Sequence, residues 1–169
     1  MIYIYNCYGG THSSVLAAAY HLKILDETHE PTKEEILNLK DFNTLVYGNR
    51  GELFFHGFDE DGNRVYVIGR GRSKVLIPGL FNLASMLDKN DLIGDRVIFS
   101  NTSPTVPLAM TFGGLFSRWL KIDFIGVPLL IRGSQEAYKD IVKLVETTKA
   151  EAQTDSSTIV ILENKQFEH

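Results

Sequence analysis

The sequence predicts an α/β fold on a mainly parallel sheet, and three observations lead there. Short β-branched and aromatic runs alternate with stretches whose apolar residues recur at helical spacing, the pattern of strands joined by crossover helices. Glycines and hydroxyl residues stand where strands give way to helices, at Gly9-Gly10-Thr11 and at Ser100-Asn101-Thr102. A chain of 169 residues, 44% hydrophobic and 22% charged, can bury one substantial core but is short for two domains.

Each element has its own signal. Ile2 to Asn6 reads as a strand, and the turn at Gly9-Gly10 leads to a helix capped by Ser13 or Ser14 and running through Leu25. Within it Val15, Leu16, Ala19, Leu22 and Lys23 recur at helical spacing. Thr32 and Glu35 form a capping box for a second, shorter helix with apolar Ile36, Leu37 and Leu39. Leu53-Phe54-Phe55 and Val65-Tyr66-Val67-Ile68 flank the turn Asp59-Glu60-Asp61-Gly62-Asn63, which predicts an antiparallel hairpin. From Ser73 the spacing of Leu76, Leu80, Leu83 and Leu87 is helical, although Pro78-Gly79 weakens the first turns. Val97 to Phe99 is a strand, followed by a helix from Pro104 to Leu120. Val127 to Ile131 reads as a further strand before a helix from Ser134 to Ala152, whose buried stripe is Tyr138, Ile141, Val142 and Val145. Thr158 to Leu162 closes the series. The expectation is one three-layer α/β domain over residues 1–162, doubly wound and Rossmann-like or flavodoxin-like, with a β-hairpin insertion. Residues 163–169 are expected to fray as a flexible polar tail.

Composition narrows the function. Seventeen basic and twenty-one acidic side chains give a formal charge of −4, which argues against a general nucleic-acid binder. No apolar run approaches the ~20 residues that span a bilayer, and Met1 leads straight into strand-like sequence, so a cytoplasmic protein without a membrane partner is expected. A single cysteine, Cys7, excludes an internal disulfide and an all-cysteine metal cage. His12 and His56 with Cys7 and Asp59 have no ligand spacing, so neither a metal nor a cofactor is expected.

The loop Asn6-Cys7-Tyr8-Gly9-Gly10-Thr11-His12-Ser13-Ser14 has the parts of an anion cradle. Gly9 and Gly10 admit close backbone approach, Thr11, Ser13 and Ser14 supply hydroxyls, and the helix start adds free N–H groups and a positive dipole. That field would favour the thiolate of Cys7, and an unperturbed imidazole at His12 would suit general acid–base work at neutral pH. The other reading makes Cys7 a small buried hydrophobe and the glycines a tight turn.

Cys7-x5-Ser13-Ser14 after a first strand resembles the loop of low-molecular-weight tyrosine phosphatases and arsenate reductases, in which the cysteine is the nucleophile. Ser13 stands where that loop has its phosphate-clasping arginine, and a hydroxyl does not replace a bidentate guanidinium. The loop is also similar to those of cysteine-phosphorylated IIB domains of sugar phosphotransferase systems, which need no arginine. Over most of the chain, Tyr5 to Ser14 and Gly57 to Gly69 resemble a bacterial family of uncharacterised proteins, the domain of unknown function 3189. That resemblance implies a cytoplasmic bacterial protein and no particular chemistry.

Gly69-Arg70-Gly71-Arg72-Ser73-Lys74, the one basic cluster, follows a strand and precedes a helix. It would set Arg70 and Arg72 beside an anion, or it is a solvated turn. Gly113-Gly114 within a helix points to close helix packing, and at a homodimer interface if Phe112 or Phe116 is exposed. Three readings stay open: a phosphate- or nucleotide-type anion binder with or without phosphoryl or hydrolase chemistry, a non-enzymatic interaction module, and a cysteine phosphocarrier.

Overall fold

Five of the apolar runs become strands: β1 (Ile2–Cys7), β2 (Leu53–Phe58), β3 (Arg64–Gly69), β4 (Val97–Asn101) and β5 (Ile159–Leu162). The computed structural model describes residues 1–45, 47–154 and 157–168 and joins these strands in one sheet, in the order β2-β3-β1-β4-β5. β1, β3, β4 and β5 are parallel, and β2 alone runs antiparallel, against β3. The expected antiparallel hairpin is present and forms one edge of the sheet. Its second strand is the neighbour of β1, and its first is an edge.

Strand alternation divides the core into two. Tyr3, Tyr5, Val65, Val67, Ile98 and Val160 face a layer made by α1 (Ser13–His21), α2 (Lys33–Leu37), α4 (Leu108–Gly114) and α5 (Asp123–Thr154). Ile4, Ile68, Val97, Phe99 and Ile159 face the single helix α3 (Leu76–Asp88). The result is the expected three layers, unequally filled. α3 buries only Ile77 and Ala84, and an apolar cavity of about 290 Å³ remains between its second half and the sheet.

Several boundaries differ from expectation. α1 begins at Ser13 and ends at His21, and neither serine caps it. Every residue of α1 is buried, so Ser13 and Ser14 spend their hydroxyls on tertiary partners. α2 forms on the expected capping box, with Thr32 Oγ1 accepting from Glu35 N and Glu35 Oε2 accepting from Thr32 N. The helix expected from Pro104 to Leu120 resolves into a 3₁₀ turn (Ser103–Thr105), α4, and a π-helical segment (Leu115–Trp119). Val127 to Ile131 is not a strand but the second turn of α5, which continues unbroken to Thr154 with Pro128 inside it. A short apolar run is compatible with a buried helix as well as with a strand. Here glycines decide: Cβ atoms at Gly113, Gly126 and Gly133 would fall 2.7, 2.4 and 2.5 Å from the backbone of Leu130, Ser117 and Met110. α4 therefore lies directly on α5 and buries Leu130 and Ile131. The expected tail is anchored by Asn164 and Phe167, both buried.

The connections also differ in hand. β1 to β3 crosses one face in one direction, and β3 to β4 returns over the other face, so these two crossovers share a hand. β4 to β5 continues outward in the direction of the second crossover, but over the face that carries α1. It therefore has the opposite hand, a departure from the usual uniformity of such connections. Chain direction along the sheet reverses between β1 and β4, and ligands of open α/β sheets bind at the carboxyl ends beside such a switch point.

Candidate functional site

At the carboxyl end of β1 the chain turns through the glycine pair and locks onto the end of β3. Arg70 N donates to Cys7 O at 2.9 Å and Gly71 N to Tyr8 O at 2.8 Å, extending the strand pairing beyond the sheet. The two backbones touch: a Cβ at Gly10 would lie 2.5 Å from Gly69 N, and one at Gly69 would lie 2.6 Å from Gly9 O. Gly10 also has φ +71°, a conformation that glycine adopts without strain. The glycines thus bring the basic turn against the first loop.

The two sides of this junction have different chemistry. On the α1 side, Cys7 Sγ accepts from Gly10 N at 3.1 Å and lies 3.3 Å from Ser14 Oγ. Ser13 Oγ meets Thr102 Oγ1 at 2.9 Å, and Thr102 Oγ1 donates to Asn6 O. Thr11 Oγ1 donates to Asp41 O and receives Thr44 N and Leu45 N. Cys7, Thr11, Ser13 and Ser14 are all buried, and their polar atoms are spent on one another and on neighbouring loops.

His12 points elsewhere. Its Nε2 lies 3.2 Å from Asn43 Oδ1, Asn43 Nδ2 donates to Ser117 Oγ at 2.8 Å, and Ser117 Oγ donates to Asp123 at 2.6 Å. Arg118, on the same π-helical segment, donates to the carbonyls of Asn43, Thr44 and Leu45. This polar chain ties the 41–45 loop to the start of α5. Burial of the His12 ring pushes its pKa down to about 4, outweighing the Asn43 hydrogen bond, which acts to raise it. The ring is neutral at pH 7, and no hydrogen bond joins it to Cys7 among the described residues.

On the α3 side the strand ends enclose a cleft of about 200 Å³. Arg70, Ser73 and Lys74 come from the β3–α3 turn, Asn6 from β1, Asn101 from β4 and Glu163 from the exit of β5, with Ile77, Pro78 and Ile161 as apolar wall. Asn6 is 2% exposed, and its Nδ2 has no hydrogen-bond partner among the described residues. Buried amides are normally paired, and this donor is left unmatched at the wall of the cleft. Arg70 Nη2 donates to Ser103 Oγ at 3.0 Å, and neither Arg70 nor Lys74 enters an ion pair among the described residues. Arg72 is exposed and does not line the cleft.

A family model described as a protein of unknown function (DUF3189) matches residues 2–150. The chain belongs to that family. The match runs from β1 through most of α5 and ends before β5. Comparison with curated proteins and with solved structures finds no match.

In this DUF3189 chain the residues singled out from sequence fall into three groups. Cys7, Thr11, Ser13 and Ser14 come together in the buried junction, with Gly9 and Gly10 as its turn. Arg70 reaches the cleft, while His12 and Arg72 lie apart. His56 lies 3.5 Å from Asp41, and Asp59 pairs with His21, so the residues weighed as a mixed metal set have separate partners. Sequence reasoning gave no site role to Asn6, Lys74, Asn101 or Glu163. Asn6 and Asn101 did carry a signal: each is a polar residue at the carboxyl end of an otherwise apolar strand, on the face that alternation assigns to Ile4 and Phe99. Glu163 carried none, since a polar end reads as solvated. No helix among the described residues is long and apolar enough to cross a membrane.

Proposed function

We propose that this protein binds a small phosphate-type anion in the cleft at the carboxyl ends of β1, β3, β4 and β5. The observation that carries this reading is the buried, unpartnered amide of Asn6 on the wall of a cleft that also holds Arg70 and Lys74. Two cations without ion pairs attract an anion, an amide N–H orients it, and the start of α3 adds a favourable dipole. The glycine junction serves the site from behind: it holds Arg70 by its backbone against Cys7, so that the guanidinium is placed at the switch point.

The test is titration with inorganic phosphate, read by thermal shift and calorimetry. Phosphate at a hundredfold over its dissociation constant should stabilise the fold by about 2.7 kcal/mol. Arg70→Ala and Lys74→Ala should each weaken binding about tenfold, as expected for one charge-assisted hydrogen bond, and Arg72→Ala should change it less than about twofold. Equal losses from Arg70→Ala and Arg72→Ala would mean a diffuse basic surface and no built site.

A second reading, an interaction module, is favoured by the exposed Leu108, Phe112 and Phe124 around the α4–α5 corner, Phe124 being 82% exposed. A homodimer contact would use that corner. Absence of any response to millimolar phosphate or nucleotides would favour it over the anion site.

A further inference from the structure

We infer, resting on the cleft as an anion site, that its ligand carries a hydrogen-bond donor, a hydroxyl or an ammonium group, a few bonds away from the anionic group, and that Glu163 reads that donor.

The cleft has two poles. Arg70 and Lys74 enter from the exit of β3, and Glu163 enters from the exit of β5. Arg70 reaches past β1: its Nη2 donates to Ser103 Oγ at 3.0 Å, and Ser103 N donates to Asn101 Oδ1 at 3.1 Å, so the guanidinium stands near the exit of β4, next to the strand from which Glu163 comes. Cations and carboxylate line the same small cleft, and no ion pair joins them among the described residues. A bare phosphate held at the basic pole would make no contact with the acidic one. A longer molecule would satisfy both, with its carbon skeleton along Ile77, Pro78 and Ile161.

Glu163 is held in this position. Asn101 Nδ2 donates to Glu163 Oε2 at 3.2 Å. The next residue, Asn164, is buried with φ 56°, and its Nδ2 donates to Ser100 Oγ at 2.9 Å and to Asn101 O at 3.0 Å. Ser100 Oγ in turn meets Thr148 Oγ1 of α5 at 2.8 Å. The exit of β5 is thereby fastened to the exit of β4, and the carboxylate, itself exposed, stands as an acceptor on the rim. Such an acceptor discriminates in both directions, because it repels a second negative charge and rewards a donor.

Calorimetry on the full chain tests this with four probes: inorganic phosphate, methyl phosphate, glycerol 3-phosphate and phosphoethanolamine. At least one of the two donor-bearing esters should bind about tenfold tighter than methyl phosphate, or more, in line with one hydrogen bond to a carboxylate. The pair separates the sources, glycerol 3-phosphate reporting a hydroxyl and phosphoethanolamine an ammonium group. Glu163→Ala should abolish that preference and leave the affinity for inorganic phosphate unchanged or higher. Glu163→Gln, which keeps the shape, should lower an ammonium preference more than a hydroxyl preference. Equal binding of methyl phosphate and both donor-bearing esters, or a preference that survives Glu163→Ala, overturns the inference while the anion site stands. If no probe binds, the anion site itself falls, and the inference with it.

Discussion

Asn6 and Cys7 are adjacent in sequence, yet alternation along β1 sends them to opposite faces of the sheet. The cysteine enters the closed junction with Gly10 and Ser14, whereas the asparagine enters the cleft with Arg70. The residue that attracts chemical interest in the sequence thus lies on the opposite face of the sheet from the cleft. Cys7→Ala should leave phosphate affinity within about twofold, because the thiol is on the far side of the backbone. It should lower stability by about 1–3 kcal/mol, since the Gly10 N–H loses its buried acceptor. A tenfold loss of phosphate affinity, measured by calorimetry, would place the sulfur in the site and revive its role as nucleophile or phosphocarrier.

At the scale of elements, α4 and α5 show where local preference yields to packing. Glycine in a helix costs about 1 kcal/mol relative to alanine, so propensity alone says Gly133→Ala stabilises. The structure says the reverse, since the added Cβ would fall 2.5 Å from Met110 N and 2.7 Å from Met110 Cβ. Gly133→Ala should destabilise by about 1–3 kcal/mol, the range of overpacked cores, in urea unfolding. A gain in stability would mean that the two helices do not touch at this point. The same interface explains what could be read in the sequence. β1, the hairpin, β4, β5 and the capped α2 rest on local signals and appear where those signals stand. Val127 to Ile131 depends on what lies against it, and nothing in Val-Pro-Leu-Leu-Ile states that α4 does. The site divides likewise. Arg70 belongs to a local strand–turn–helix signal, but Glu163 reaches the cleft because β5 pairs with β4 and Asn164 fastens their exits, contacts between segments 62 to 64 residues apart.

Across the whole molecule, the face that carries α1 encloses histidines that the fold keeps neutral. His21 is buried between Tyr5, whose hydroxyl lies 2.7 Å from Nδ1, and Asp59, whose Oδ2 lies 2.9 Å from Nε2, and it thereby holds the β2–β3 turn against α1. Burial pushes His21 down to about 4, against the raising influence of Asp59, and burial likewise takes His12 to about 4 and lowers His56. Burial acts to raise Asp59, but hydrogen bonds from His21, Asn63 and the turn amides outweigh it and hold the carboxyl at about 2. The signs agree. His12 and His21 each bind a proton near pH 6.5 in the unfolded chain and only near 4 in the folded one, so their contribution is complete above pH 6.5 and is lost as the pH falls towards 4. Asp59 adds a loss at lower pH, between its ordinary 3.8 and about 2. For His12 and His21 together the slope should approach about 2.7 kcal/mol per pH unit near pH 5, at about 1.4 for each proton. Urea unfolding at pH 7.5, 6 and 5 measures it: the midpoint should hold nearly steady down to about pH 6.5 and then fall steeply. His21→Gln should start from lower stability, because it leaves Tyr5 and Asp59 poorly matched, but should lose about one proton from the slope. A midpoint that is flat from pH 7.5 to 5 would mean that these rings are solvated, and that the hairpin is not held through His21.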